Sequence, residues 1–444
     1  MIYILLALLA ALGVGAFILS DKNILSPSVM ACGVFFISTS VAALNSRAWD
    51  FDMAPITVVV IVTALMAFCA GEFAAHRIYA LYAKKKQPPS LTLPDKPIIV
   101  PWQITLVLCV LIAGMLIYFY HSTIVFIKNA GGYKGTGNIL SFVYSANVNA
   151  ARSGLRRNLW AYLGMSFAQA SAYIFSYCFL YNAVFARPRN RDAAFLVHVL
   201  LYIAFVVLTT SRHSFIMLFT AWIVIGSVFY LQKNKWSMKA TGKAILAIVL
   251  CLLVFFAIFL TAGVLRGWSS NIRQLLQYLS IYTGSSVYAL NYFLLNPPAQ
   301  ANTYFGEHTL LGIYSALRRM GFDFPPFYPP LEFIPIDHHA IATNVYTAIR
   351  RYIQDFHYAG MYLTVFFIGS FYSLFFLLVK NRQNIFLVVY AAIFYAVTEF
   401  SIEESFFLSV VSLSNASGIF FLLLIYYLII DNRIKNYLKR LLKK

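Results

Sequence analysis

Charge is scarce in this chain. Asp, Glu, Lys and Arg make up 11% of its 444 residues, while 61% are hydrophobic. A soluble domain carries roughly a quarter of its residues as charges, so this balance excludes a solvent-facing globular protein and turns the apolar excess toward lipid. Acids are scarcer still, fifteen against 34 Lys and Arg. The five cysteines, Cys32, Cys69, Cys109, Cys178 and Cys251, all fall in apolar runs. That placement excludes an outer disulfide framework and a metal spacing, and leaves them as packing residues. No Gly-rich phosphate loop occurs. The net charge of +19 follows from membrane topology, so nucleic acid is not an expected partner. The opening stretch MIYILLALLAALGVGAFILS lacks a basic n-region and a small-residue cleavage site. It reads as a retained transmembrane helix rather than a signal peptide.

What is present is a series of apolar runs of spanning length. Eleven spans are predicted, at 2–19, 25–44, 55–75, 101–119, 159–184, 194–210, 214–231, 244–264, 361–379, 384–399 and 406–430. Trp102 and Trp160 fall near expected interfaces. The sequence therefore predicts an all-α polytopic membrane protein. Residues 1–264 hold eight spans and a first outer loop at 120–158, residues 265–360 a large outer segment, and residues 361–444 three spans and a basic tail. One set of connections, including Lys84, Lys85, Lys86 and the tail, holds 21 of the basic residues. Basic loops stay in the cytoplasm, which predicts an outer N-terminus and a cytoplasmic C-terminus.

The kind of cation differs between the faces. The inner set contains 14 Lys and 7 Arg, whereas the outer set has Lys128 and Lys134 against eleven arginines. Arginine grips phosphate or carboxylate with a planar fork and keeps its charge when partly desolvated. An Arg-rich outer face points to an anionic ligand there; a solvated surface is the plainer alternative.

Seven of the fifteen prolines lie in 265–360 and divide it into helical pieces. RQLLQYLSIYTGSSVYALNYFLL is one piece, and HTLLGIYSALRRMG is a second that ends at Gly321. Arg318 and Arg319 close the second, where cations complement a helix C-terminus. The stretch TNVYTAIRRYIQDFHYAG at 343–360 predicts a helix capped by Thr343 or Asn344 and running toward the span at 361–379. Arg351 and Asp355, four apart, are expected to pair, which leaves Arg350 freer for a ligand. Candidate bases for a hydroxyl are His338, His339, Asp355, Glu399, Glu403 and Glu404. His198, mid-span, is expected to be a packed core group. Asp50-Phe51-Asp52 has a metal-binding Asp-x-Asp spacing, but a short solvated turn explains it, and no metal or cofactor is expected. The absence of an internal repeat and the outer placement of the charges weigh against a transporter, whose charges line a midplane pathway.

These residues bear a resemblance. TNVYTAIRRYIQDFHYAGMYL is similar to the pattern of Asn, Thr, Arg and Asp-Phe-Gly leading into a span in the Wzy-type polymerases of bacterial surface polysaccharide. TTSRHSF at 209–215, TGSSVYALNYFL at 283–294 and FGEHTLLGI at 305–313 add to it, as does the layout of many spans with a dominant late outer loop. His357 stands where that pattern has glycine. The resemblance implies a GT-C-like glycosyltransferase of the inner membrane with its active face in the periplasm. It would move a growing glycan from undecaprenyl pyrophosphate to the next lipid-linked repeat unit, with a chain-length regulator as a further partner. A flippase, or a ligase of the same superfamily, are the alternatives. Arg350, Arg212, His339 and Asp355 are then the expected catalytic group. Arg152, Arg156, Arg157, Arg266, Arg273, Arg318, Arg319 and Arg351 are expected at the pyrophosphate.

Overall fold

The computed structural model describes residues 1–85, 96–131, 138–153, 155, 157–186, 190–265, 271–298, 303–324, 331–336, 342–380 and 385–430. The chain divides into two compact units. The first comprises Met1–Ser90, Trp268–Asn381 and Phe394–Ser412; the second comprises Leu91–Gly267, Arg382–Ile393 and Leu413–Lys444.

The first unit begins with α1 (Ile2–Leu19), α2 (Pro27–Leu44) and α3 (Pro55–Lys85). Apolar runs of this length become helices because lipid offers no partner for backbone polar groups, which must bond within the segment. Pro27 stands in the first turn of α2, where its missing N–H costs nothing. The orphan donors beside it are met by a buried acid from α3. Glu72 accepts from the Ser26 hydroxyl at 2.6 Å and from the Ser28 amide at 2.8 Å.

The second unit contains α4 (Trp102–Asn129), α5 (Ile139–Ser153), α6 (Leu159–Phe185), α7 (Phe195–Thr209), α8 (Arg212–Lys233) and α9 (Met238–Leu265). His198 on α7 is fully buried, 2.9 Å from the Ser171 hydroxyl and 3.3 Å from the Cys109 thiol, and stacks on Phe175. It is the packed core group expected from its mid-span position.

Back in the first unit follow α10 (Ile272–Leu295) and α11 (Leu311–Arg319). A short antiparallel hairpin pairs β1 (Ile334–Pro335) with β2 (Ala342–Thr343), and α12 runs from Ala348 to Lys380. α12 lies along α3 at backbone contact. A Cβ on Gly71 would meet the Phe366 carbonyl at 2.2 Å, and one on Gly369 would meet the Phe68 carbonyl at 2.4 Å. Only glycine permits that crossing, the small-residue packing typical of membrane helices. The helix is broken at His357, whose φ of 54° and ψ of −170° are not helical.

The remaining elements are α13 (Ile385–Ile393), α14 (Tyr395–Thr398), a π-helical turn at Phe406–Val410 and α15 (Leu413–Ile429).

The all-α polytopic character holds: among the described residues, eight helices are long and apolar enough to cross a membrane. Several expected boundaries change. The helix expected to end at 119 continues to Asn129. The expected span at 384–399 is two short helices, and that at 406–430 begins with the π turn before α15. α12 starts at Ala348, not at a Thr343 or Asn344 cap, because Thr343 is held in β2. Its hydroxyl accepts from the Val345 amide at 3.1 Å and meets the Ser285 hydroxyl of α10 at 2.7 Å. The predicted pieces α10 and α11 are present, and Gly321, at φ 96°, follows the end of α11.

Candidate functional site

The N-terminal part of α12 carries Arg350, Arg351 and Asp355 within two turns. Its start is tied down by the Ala348 amide, which donates to the Phe400 carbonyl at 3.2 Å. Two residues on, Arg350 is 1% exposed. Its guanidinium lies 3.8 Å from the Tyr346 ring centroid and 5.0 Å from that of Phe293 on α10, as a cation over aromatic faces. Nη2 donates to Glu332 at 2.6 and 2.7 Å, one to each carboxylate oxygen. Nε and Nη1 are buried with no hydrogen-bond partner among the described residues. The Glu332 carboxylate is half solvent-exposed, at 53%. Burial raises its pKa, but the hydrogen bond and charge of Arg350 outweigh this, and the carboxyl lies below its usual range. The sequence left Arg350 as the freer arginine. The structure instead buries it against an acid 18 residues away, with two donors still unsatisfied.

The next residues reach the loop that leads into α11. Asp355 accepts from the His308 amide at 3.1 and 3.0 Å and from the Thr309 amide at 2.5 Å. Arg351 Nη1 donates to the His308 carbonyl at 3.0 Å. Gln354 Nε2 lies 2.9 Å from His308 Nε2. Arg351 and Asp355 therefore meet through the backbone of His308, rather than by the simple pairing of side chains that their spacing suggests. His308 is half-buried, and its pKa is lowered. Burial is the main cause; the charges of Arg351 and Arg350 add to it, while Asp355 and Glu307 oppose it.

The loop around His308 is organised from within as well. Glu307 is buried and accepts from the Thr303 amide and from the Tyr304 amide, the latter at 3.3 Å. The Tyr314 hydroxyl donates to the Phe305 carbonyl. Leu310 N–H reaches the Gly306 carbonyl at 2.7 Å, starting α11. α11 then presses on the π turn so closely that a Cβ on Gly312 would lie 2.2 Å from the Phe407 carbonyl oxygen.

The three acids of EFSIEESF separate. Glu404, 1% exposed, accepts from the Tyr352 hydroxyl at 2.8 Å and from the Phe407 and Leu408 amides at 3.0 and 3.1 Å. It caps the π turn, and burial raises its pKa to about 7. Glu399 is buried and accepts from the Ser405 hydroxyl at 2.5 Å. Glu403 is exposed. Glu404 thus caps the π turn from within the fold, and Glu399 is buried on the Ser405 hydroxyl.

The other expected residues are placed as follows. Arg318 and Arg319 close α11, half-buried and exposed respectively, and Arg273 is exposed in the first turn of α10. Arg157 and Arg212 belong to the second unit. Arg157 donates to the Thr123 hydroxyl at 3.2 Å and to the Asn147 side-chain oxygen Oδ1 at 3.1 Å, and lies over Phe119 and Phe126. Burial lowers its pKa to about 10. This arginine knits α4 to the start of α6, a structural role that the phosphate assignment did not foresee. Arg212 is half-buried and opens α8 behind the Ser211 cap, whose hydroxyl accepts from the Ser214 amide at 3.3 Å. The backbone of Arg152 lies in α5, but its side chain is outside the described residues, as are Arg156, Arg266, His338 and His339. Asp50 and Asp52 are exposed in a turn, as a solvated loop requires.

Sequence reasoning missed two residues of this cluster, His308 and Glu332. His308 lay inside the FGEHTLLGI segment and had a signal there. Glu332, between Pro330 and Pro335, had none. Comparison of the chain with family models, curated proteins and solved structures finds no match.

Proposed function

We propose that the chain is a membrane glycosyltransferase that polymerises lipid-linked oligosaccharide repeat units. It moves the growing glycan from undecaprenyl pyrophosphate to the next lipid-linked unit, at the outer face of the bacterial inner membrane. In this reading eleven segments cross the bilayer in a GT-C-like arrangement, the N-terminus is outside, and 265–360 lies in the periplasm. The observation that carries it is Arg350. A buried guanidinium with Nε and Nη1 unpartnered among the described residues, already holding both oxygens of a carboxylate on Nη2, has the donor set an anionic phosphoryl group needs. The sequence resemblance supplies the identity of that anion. The leaving pyrophosphate gathers charge as the sugar bond breaks, and a fixed cation stabilises it there.

A charged hydrogen bond is worth roughly 1.5–3 kcal/mol, so two such bonds made in the transition state speed turnover by about 10²- to 10⁴-fold. Purified protein supplied with lipid-linked repeat units is expected to yield a ladder of glycan lengths. Arg350→Ala removes the grip, and Arg350→Lys keeps the charge but loses the fork, so both variants extend chains poorly. No ladder from the unsubstituted protein would remove the polymerase reading. Capping of an acceptor other than a repeat unit would identify a ligase, and translocation without transfer a flippase. Near-normal extension by Arg350→Ala would remove Arg350 from the site.

A further inference from the structure

The Glu332 carboxylate stands on the nitrogen of Arg350 that an anion needs most. A guanidinium has two edges that grip an anion with parallel bonds, Nε with Nη2 and Nη1 with Nη2. Nη2 belongs to both. Glu332 places both its oxygens there, at 2.6 and 2.7 Å, while Nε and Nη1 have no hydrogen-bond partner among the described residues. The Tyr346 ring lies 3.8 Å from the guanidinium and the Phe293 ring 5.0 Å from it. Both rings are buried, whereas the Glu332 side chain is 53% exposed. Of these three neighbours, Glu332 alone borders solvent.

We propose that Glu332 is a resident anion that the donor's pyrophosphate displaces from Arg350, and that it sets the specificity of the site by excluding weaker anions. The proposal rests on the transferase reading above and adds the residue that controls access to Arg350. While the carboxylate holds Nη2, neither edge of the guanidinium is free for a second anion. Once it leaves, a diphosphate takes Nη2 together with Nη1 or Nε. No covalent bond changes in this exchange.

The exchange needs only a turn of the Glu332 side chain. Its backbone is held in place: the Tyr346 hydroxyl donates to the Glu332 carbonyl at 3.3 Å, and Ile334 and Pro335 pair with Thr343 and Ala342 in the hairpin. The half-exposed carboxylate turns into water, which solvates its charge. A buried guanidinium with no anion would be the costly state, so a carboxylate fills the place until the donor arrives. A membrane makes such a stand-in useful. Phospholipid headgroups are phosphodiesters with one negative charge on the phosphate, and they surround a spanning protein at high local concentration. Competition with Glu332 lowers the apparent affinity of every anion by the same factor. A weakly held diester then leaves the site unfilled, while a diphosphate, with more charge and more acceptor oxygens, still fills it.

The test measures binding to the full chain in detergent, with inorganic pyrophosphate as the probe and dimethyl phosphate as its singly charged counterpart. The unsubstituted protein, Glu332→Gln, Arg350→Ala and the double variant are compared by titration calorimetry. Glu332→Gln is expected to bind both probes about tenfold more tightly, the worth of about one charged hydrogen bond. That gain is expected to vanish when Arg350→Ala is added. Removing one partner of a buried pair also destabilises a fold, so a second measurement uses the unsubstituted protein. Labelling of Glu332 by a carboxyl-reactive diazo compound, read by mass spectrometry, is expected to rise as pyrophosphate saturates the site. Labelling that stays flat or falls overturns the proposal, as does dimethyl phosphate filling the unsubstituted site as well as pyrophosphate does. Pyrophosphate bound through Arg350 with equal or lower affinity in folded Glu332→Gln overturns this inference and leaves the transferase reading standing. Pyrophosphate binding that ignores Arg350 in both proteins, or none in either, removes Arg350 from the anion site and overturns both.

Discussion

His357 offers a direct measurement of backbone strain. Its φ of 54° with ψ of −170° places an L side chain in a region that glycine alone visits freely. The cost there is about 1–3 kcal/mol for a residue with a Cβ. Replacement by glycine relieves it and adds back roughly 0.5–1 kcal/mol, because glycine is the more flexible in the unfolded chain. The side chain is exposed, so little packing is lost. His357→Gly is therefore expected to raise the unfolding free energy by about 1 kcal/mol, the balance of those two terms. The control is His357→Ala, which deletes the imidazole but keeps the Cβ and hence the strain, and is expected to gain nothing. Both are measured by reversible unfolding of the purified protein in mixed micelles with increasing SDS. A glycine variant less stable than the unsubstituted protein, or an alanine variant as stabilised as the glycine one, would refute the reasoning.

Three other outcomes are expected. Glu404, buried with a pKa near 7, stays protonated in the fold while the unfolded carboxyl ionises near 4.5. Its contribution is present below about 4.5 and is lost as pH rises through about 7, a change of roughly 3 kcal/mol. Glu404→Gln should therefore gain on the unsubstituted protein over that window when unfolding free energies are compared at each pH, and a constant difference would refute this. Gly312→Ala puts a Cβ 2.2 Å from the Phe407 carbonyl and is expected to cost about 1–3 kcal/mol in the same unfolding assay; unchanged stability would mean that the contact yields freely. Single cysteines at positions 236 and 300 of a cysteine-free variant are expected to label from opposite sides of the membrane, the second from outside in intact inner-membrane preparations, and the reverse pattern would invert the topology.

The helices were legible because their causes are local. The run at 2–19, the piece at 273–295 and the stop at Gly321 follow from apolar length, periodicity and a positive φ. The break in α12 was half visible, since the resemblance places glycine at position 357, and the observed backbone there supplies the physical reason. The site was less legible. Arg350 stood out by residue type and position, but its burial over Phe293 and its contact with Glu332 depend on α10 and the 331–336 segment meeting α12. His308 escaped notice because Arg351, Gln354 and Asp355 reach it only through the fold. Arg157 looked like an anion ligand because residue type alone cannot tell a free guanidinium from one that holds two helices together.

The hold on position 308 has a consequence for how such a chain can diverge. Arg351 and Asp355 grip a carbonyl and an amide, groups that every residue except proline provides in full. Their grip is blind to the side chain between them. The loop can keep its shape while the residue at its tip is exchanged, so chemistry at that point is free to drift over generations without the scaffold being rebuilt. Substitution at 351 or 355 has no such freedom, because it releases the loop whatever residue stands at 308.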